Sequence, residues 1–113
     1  MNKRSVGSVT EERAMEYLTG QGYEPVQRNY RCRAGEIDLV ARDGEYLVFA
    51  EVKYRRTEEF GLPEEAVDAK KQLRIRRAAA WFLKEQRIPE DTPVRFDVVA
   101  MDSREIRLYK DAF

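Results

Sequence analysis

Asp38, Glu51 and Lys53 are the residues of this chain whose types and spacing best suit chemistry. Glu51 and Lys53 interrupt an apolar run, Leu47-Val48-Phe49-Ala50-Glu51-Val52-Lys53. Side chains two apart on a strand share a face, and a strand this apolar should be central and covered on both sides. Burying a charge there costs several kcal/mol unless it is paired or metal-bound. The set is therefore either a Glu–Lys–Asp ion-pair cluster or a site. Two carboxylates and a lysine on one face would suit phosphodiester hydrolysis. Mg²⁺ takes octahedral oxygen ligands and keeps several waters. It makes a water more acidic and stabilises charge gathering on phosphate. A lysine beside it can position that water or steady the phosphate oxygens.

Composition removes most alternatives. Histidine is absent, which excludes Ser-His-Asp hydrolases, Cys-His pairs, His-based nucleases and ordinary zinc sites. The lone Cys32 forms neither an internal disulfide nor a metal site. Any hydrolysis must come from carboxylates, lysine and a hard, oxygen-liganded metal.

These residues need elements to hold them. The 113 residues fit one domain, and 37% charged with 42% hydrophobic is a globular mixture with a polar surface. No apolar run reaches the roughly 18–20 residues that span a bilayer, and the N-terminus carries no apolar signal segment. The expectation is a cytoplasmic protein with no membrane contact. Residues 8–21 read as a helix, with Ser8 and Glu11 in a capping-box pattern. Residues 25–33, 35–42 and 45–56 read as strands. Residues 64–87 read as a helix opened after Pro63 by Glu64 and Glu65. Residues 94–101 and 106–109 read as strands. The order α-β-β-β-α-β-(β) implies an α/β fold, a mixed sheet flanked by helices.

Asp43-Gly44 is a hairpin-turn signal. A two-residue loop there pairs Val40 with Leu47, Asp38 with Phe49 and Glu36 with Glu51. Asp38, Glu51 and Lys53 then share a face, with Asp38 and Glu51 as diagonal neighbours about 7–8 Å apart along the backbone. A three-residue loop would put them on opposite faces. Two further residues point inward. Lys71 falls within the apolar stripe Val67, Ile75, Ala78, Ala79, Phe82. It either snorkels to water or reaches a scissile phosphate. Glu11 is either the capping partner of Ser8 or a further carboxylate at the metal site.

Net charge is zero, 21 basic against 21 acidic residues, so no global attraction to nucleic acid follows. Basic residues nevertheless cluster at Arg28/Arg31/Arg33, at Lys53/Arg55/Arg56 and along Lys70/Lys71/Arg74/Arg76/Arg77.

The stretch Gly35-Glu36-Ile37-Asp38-Leu39-Val40, followed by Val48-Phe49-Ala50-Glu51-Val52-Lys53-Tyr54-Arg55, resembles the bacterial UPF0102 (YraN) family. Further matches include Glu11 with Tyr17-Leu18, Arg28-Asn29-Tyr30-Arg31, Lys71-Gln72, Arg95-Phe96-Asp97-Val98 and Asp111-Ala112-Phe113. That family is similar to archaeal Holliday-junction resolvases within the PD-(D/E)xK nuclease superfamily. The resemblance implies a single restriction-endonuclease-like domain over residues 1–113. It makes Asp38 and Glu51 metal ligands, with the Val52 backbone carbonyl and Glu11 as further ones, and Lys53 the catalytic lysine. Lys71 and Gln72 match a polar pair near the phosphate. Mg²⁺ or Mn²⁺ is the implied cofactor, and nucleic acid, DNA in first place, the partner. Arg31, Arg55, Arg56, Lys71 and Arg74 are the expected nucleic-acid contacts. One departure is Ala50, where the family often carries a bulky aliphatic residue.

Two functions compete. The first is a metal-dependent endonuclease favouring branched or junction DNA, for which a homodimer would match a two-fold junction. The second is a non-catalytic nucleic-acid- or partner-binding module on the same fold. A purely structural ion-pair domain is a third reading.

Overall fold

The computed structural model describes the backbone of residues 3–54 and 67–113, and side chains from residue 9 onward. Its elements are α1 (Lys3–Gly20), β1 (Glu24–Cys32), β2 (Gly35–Asp43), β3 (Tyr46–Tyr54), α2 (Ala69–Glu85), β4 (Val94–Met101) and β5 (Ile106–Tyr109). The expected α/β order holds, and the short last strand forms. The five strands make one sheet in the order β1-β2-β3-β4-β5. Only β3 and β4 run parallel; the other neighbours are antiparallel. A parallel neighbour needs a crossover, and α2 lies in that connection.

The sheet is covered on both faces, which explains why β3 reads as an unbroken apolar run. On one face Ile75, Ala78, Ala79 and Phe82 of α2 pack on Tyr30, Val40, Leu47, Phe49 and Val98. Phe82 meets Tyr30 and Phe49 edge-on, with ring centroids 5.2 and 5.6 Å away. On the other face Ala14, Met15 and Leu18 of α1 pack on Leu39, Ala41, Val48, Ala50, Val99 and Met101. Burying each large apolar side chain is worth about 1.5–3 kcal/mol. Among the described residues, no helix is long and apolar enough to cross a membrane.

Three features differ from expectation beyond shifts of one or two residues at element ends. Helix α1 begins at Lys3, so Ser8 lies within the helix and is not its N-cap. No proline interrupts residues 3–7, and the helical hydrogen bonding continues back past Ser8. The helix closes where expected. Tyr23 N–H donates to Leu18 C=O at 2.9 Å and Gly22 N–H to Thr19 C=O at 3.0 Å. Gly22 takes φ 96°, completing a Schellman stop.

Helix α2 begins at Ala69. Asp68, extended at φ −70° and ψ 168°, is its N-cap, and its carboxylate accepts the Lys71 N–H at 2.8 Å. Val67 is buried, but it belongs to the segment before the helix and not to the helical stripe. The expected opening at Pro63, Glu64 and Glu65 lies outside the described residues, as do Arg55 and Arg56.

The β2–β3 register is the third difference. Asp43 pairs with Tyr46, Arg42 with Leu47, Val40 with Phe49 and Leu39 with Ala50. The two loop residues are therefore Gly44 and Glu45, not Asp43 and Gly44. Gly44 takes φ 61° at the first loop position, where a type II′ turn requires glycine. The register moves by two residues relative to expectation. Because strand side chains alternate with a period of two, the shift preserves which residues share a face.

Candidate functional site

Extending the β2–β3 register one step past Leu39/Ala50 sets Asp38 directly opposite Glu51 rather than diagonal to it. Regular pairing stops there, and the Asp38 side chain takes over. Its Oδ2 accepts the Val52 N–H at 2.8 Å. A strand residue's N–H and C=O point to the same side. The Val52 carbonyl is thus directed towards β2 and Asp38.

Glu51 is buried, 5% exposed. It lies beside Val98 in the parallel pairing of β3 with β4. Helix α2 brings Lys71 to it: Nζ stands 2.5 Å from Glu51 Oε1, with the lysine side chain 40% exposed. Lys71 thus runs from the protein interior to the surface. Burial acts to push its ammonium down, but the hydrogen bond and charge of Glu51 outweigh this and raise it. Half-buried Lys53 adjoins Lys71.

The cost of this packing falls on Asp38. Burial, first, and then the charge of Glu51 raise its carboxyl to about 7, against the opposing pull of the Val52 N–H and Lys71. A buried and a partly buried carboxylate facing one another call for positive charge, and Lys71 partly supplies it.

Helix α1 contributes Glu11 from the other side. Its pKa is raised by burial and then by the charges of Asp38 and Glu36, against the Asn29 side chain and Arg28. Glu11 Oε2 is buried without a hydrogen-bond partner. With Ser8 inside the helix, the capping-box role for Glu11 is gone. Among the described residues, no three or more Asp, Glu or Cys side chains are gathered tightly enough to hold a metal by themselves. The close set is Asp38, Glu51, Lys71 and Lys53, with Glu11 in electrostatic range.

The other sequence candidates lie elsewhere. Gln72 turns its amide back to the Val67 carbonyl at 2.9 Å, fastening the chain ahead of α2. Arg31 pairs across the β1–β2 hairpin with Glu36 at 3.3 Å, both exposed. Arg74 is exposed, and its Cβ and carbonyl border Gly35. Gly35, at φ 152°, can take that conformation because it has no Cβ.

Sequence reasoning missed a second buried polar cluster on the α1 face. Asp97, 0% exposed, accepts from Tyr23 Oη at 2.7 Å, from Arg95 Nε at 2.9 Å and from the Asp111 N–H at 3.0 Å. Arg95 Nη2 also reaches Asp43 at 2.8 Å. The available signal was Arg95 and Asp97 two apart in an otherwise apolar strand. Every polar group of Asp97 is satisfied, so this cluster is a clasp.

The fold and site define a small mixed α/β domain with an acidic pair and two lysines at the point where two central strands part. Residues 10–101 match the family described as "Uncharacterised protein family UPF0102". The chain is 56% identical over its whole length to a UPF0102 protein of Lachnoclostridium phytofermentans, covering 96% of that protein. It is 42% identical to one of Caldicellulosiruptor saccharolyticus, with both chains fully covered. It is also 47% identical to one of Photobacterium profundum, covering 89% of this chain and 82% of the relative. The chain belongs to the UPF0102 family.

Proposed function

We propose that this protein is a divalent-metal-dependent endonuclease of the PD-(D/E)xK type, cleaving phosphodiester bonds in nucleic acid, with branched or junction DNA as its favoured substrate. The observation that carries the reading is the partly buried Asp38 held opposite buried Glu51, with Lys71 and Lys53 beside them. The mixed sheet flanked by α1 and α2 is consistent with a restriction-endonuclease-like fold.

The residues fit a hard cation. Asp38, Glu51 and the Val52 carbonyl would hold Mg²⁺ or Mn²⁺, and buried Glu11 Oε2 leaves a further acceptor nearby. Once bound, the ion supplies neutralising charge and a more acidic water. Lys53 stabilises the negative charge that grows on phosphate. Lys71, anchored by Glu51 and open to solvent, meets the incoming phosphate. A two-fold junction would call for a symmetric homodimer.

A second reading, a binding module without catalysis, draws on the Lys71–Glu51 ion pair, which already gives the acidic pair a cation. A cleavage panel on junction, flap and linear substrates, with and without Mg²⁺ or Mn²⁺, separates the two. Metal-dependent cutting that vanishes in Asp38→Asn supports the nuclease. Nucleic-acid binding with no cutting under either metal would establish the binding module instead.

A further inference from the structure

Helix α2 carries six basic residues (Lys70, Lys71, Arg74, Arg76, Arg77, Lys84) and a single acidic one, Glu85, in a chain whose net charge is zero. Two of the six are accounted for. Lys71 holds Glu51. Arg76 donates to the Phe113 carbonyl at 2.7 Å and lies 4.7 Å over the Phe96 ring. The remaining four share a direction. At 3.6 residues per turn, Lys70, Arg74, Arg77, Trp81 and Lys84 fall within a sector of about 80°. All five are exposed. The stripe climbs about 21 Å along the helix axis.

Trp81 breaks this charged stripe. It is the chain's single tryptophan and is 45% exposed. Beside it lies a shallow groove of about 280 Å³ lined by Ala34, Arg77, Ala80, Trp81 and Lys84. Small side chains, Ala34 from the β1–β2 turn and Ala80 from the helix, leave space next to the indole. Arg77 and Lys84 flank it one turn to either side. Among the described residues, neither forms an ion pair with a carboxylate.

A planar aromatic wall between cations one turn apart suits a ligand that alternates flat apolar rings with negative charges. A single nucleic-acid strand has that chemistry: bases stack on aromatic side chains while basic residues track the backbone. Bases stacked inside a duplex cannot reach the indole. The stripe also adjoins the candidate site, because Arg74 is three residues from Lys71. We infer that the groove beside Trp81 receives an unpaired base of a single strand whose phosphates run along Arg74, Arg77 and Lys84. This rests on the nuclease reading and narrows its substrate to nucleic acid with a single-stranded segment about 15 Å from the cut, the rise from Lys71 to Trp81.

Excited at the red edge of the indole band, where the six tyrosines do not absorb, intrinsic fluorescence reports on Trp81 alone. The full chain is titrated in EDTA with end-labelled oligo-dT, and separately with a duplex of equal length, following both Trp81 emission and oligonucleotide anisotropy. The expected result is saturable quenching by the single strand and much weaker quenching by the duplex. Trp81→Ala should lower single-strand affinity about tenfold, and Trp81→Phe should keep most of it. Arg77→Ala and Lys84→Ala should each reduce the salt slope by about 0.7. Thermal melts confirm that the variants fold, and the wild-type quenching is informative without any variant. Binding seen by anisotropy with unmoved Trp81 emission overturns the groove. So does equal quenching by duplex, or quenching by poly-glutamate, which would make it a protein-docking surface. If metal-dependent cutting persists in Trp81→Ala at the wild-type rate on every substrate, only the groove fails. If neither binding nor cutting occurs, the nuclease reading fails with it.

Discussion

The acidic pair is where charge and burial conflict most openly. Burial and Glu51 raise the Asp38 carboxyl to about 7, above the roughly 3.9 of an unfolded aspartate. The folded state therefore binds the extra proton more tightly. This group's contribution favours folding below the unfolded value and turns unfavourable as pH climbs towards about 7. Asp38→Asn removes the conflict while keeping the shape. In metal-free buffer its melting temperature should exceed wild type at pH 8, with the gain shrinking towards pH 5. Calorimetric Mn²⁺ titration of the same variant should show binding lost. A variant that binds Mn²⁺ normally would mean the pair is only a structural ion cluster. Lys53 has a different signature. Its charge matters most when negative charge builds on phosphate, so Lys53→Ala should bind nucleic acid nearly as well as wild type. In single-turnover cleavage at saturating enzyme it should cut about a hundredfold more slowly or worse. Normal cutting once saturated would make Lys53 a binding residue only. The pair itself was legible because face-sharing on a strand depends only on parity. Glu11 was harder. Its two roles rested on where α1 starts, and the residues before Ser8 carry no stop signal.

At the scale of elements, sequence pattern located every strand and both helices among the described residues, with β4 and β5 at the expected bounds, but misplaced the starts of α1 and α2 and the β2–β3 turn. The hairpin slid by two because Asp43 fits a turn as well as Gly44 does. The deciding preference came from outside the loop: Asp43 is drawn to Arg95 on β4, 2.8 Å away. The start of α2 went wrong for a related reason. The expected helix ran through Val67 and Asp68, yet both precede it and Asp68 is the residue that caps it. That cap has a functional consequence, because it fixes the first turn from which Lys71 reaches Glu51. Asp68→Ala should cost about 1 kcal/mol in urea unfolding. It should loosen Lys71 without touching the carboxylates, lowering cleavage while leaving Mn²⁺ affinity intact. Asp68→Ser should restore both stability and rate. If Ser fails to rescue, the carboxylate acts on the site directly and not through the helix.

Across the whole molecule, the two buried polar clusters divide the work. The acidic pair sits where β2 and β3 part, on the α2 face. The Asp97 clasp sits on the α1 face and ties together the residue just before β1 (Tyr23), the β2–β3 hairpin (Asp43), β4 (Arg95) and the chain after β5 (Asp111). Asp43 and Asp38 are separated by about 16 Å along β2. The clasp was not readable as a unit, because its members are up to 88 positions apart in sequence and only the fold gathers them. It contains a fully buried carboxylate, and breaking such a pair by removing one partner typically costs about 3–5 kcal/mol, since the remaining charge is stranded. Arg95→Met is therefore expected to be among the most destabilising single changes in the protein. Adding Asp97→Asn should recover part of the loss by removing the stranded charge. Urea unfolding of the two single variants and the double variant measures this coupling. Cleavage per folded molecule, assayed well below each midpoint, should remain at wild-type level in all three. Strict additivity of the two changes would show that Arg95 and Asp97 do not depend on each other. A loss of cleavage in fully folded Arg95→Met would show that the clasp reaches through the sheet to the acidic pair, and that the two faces are not independent.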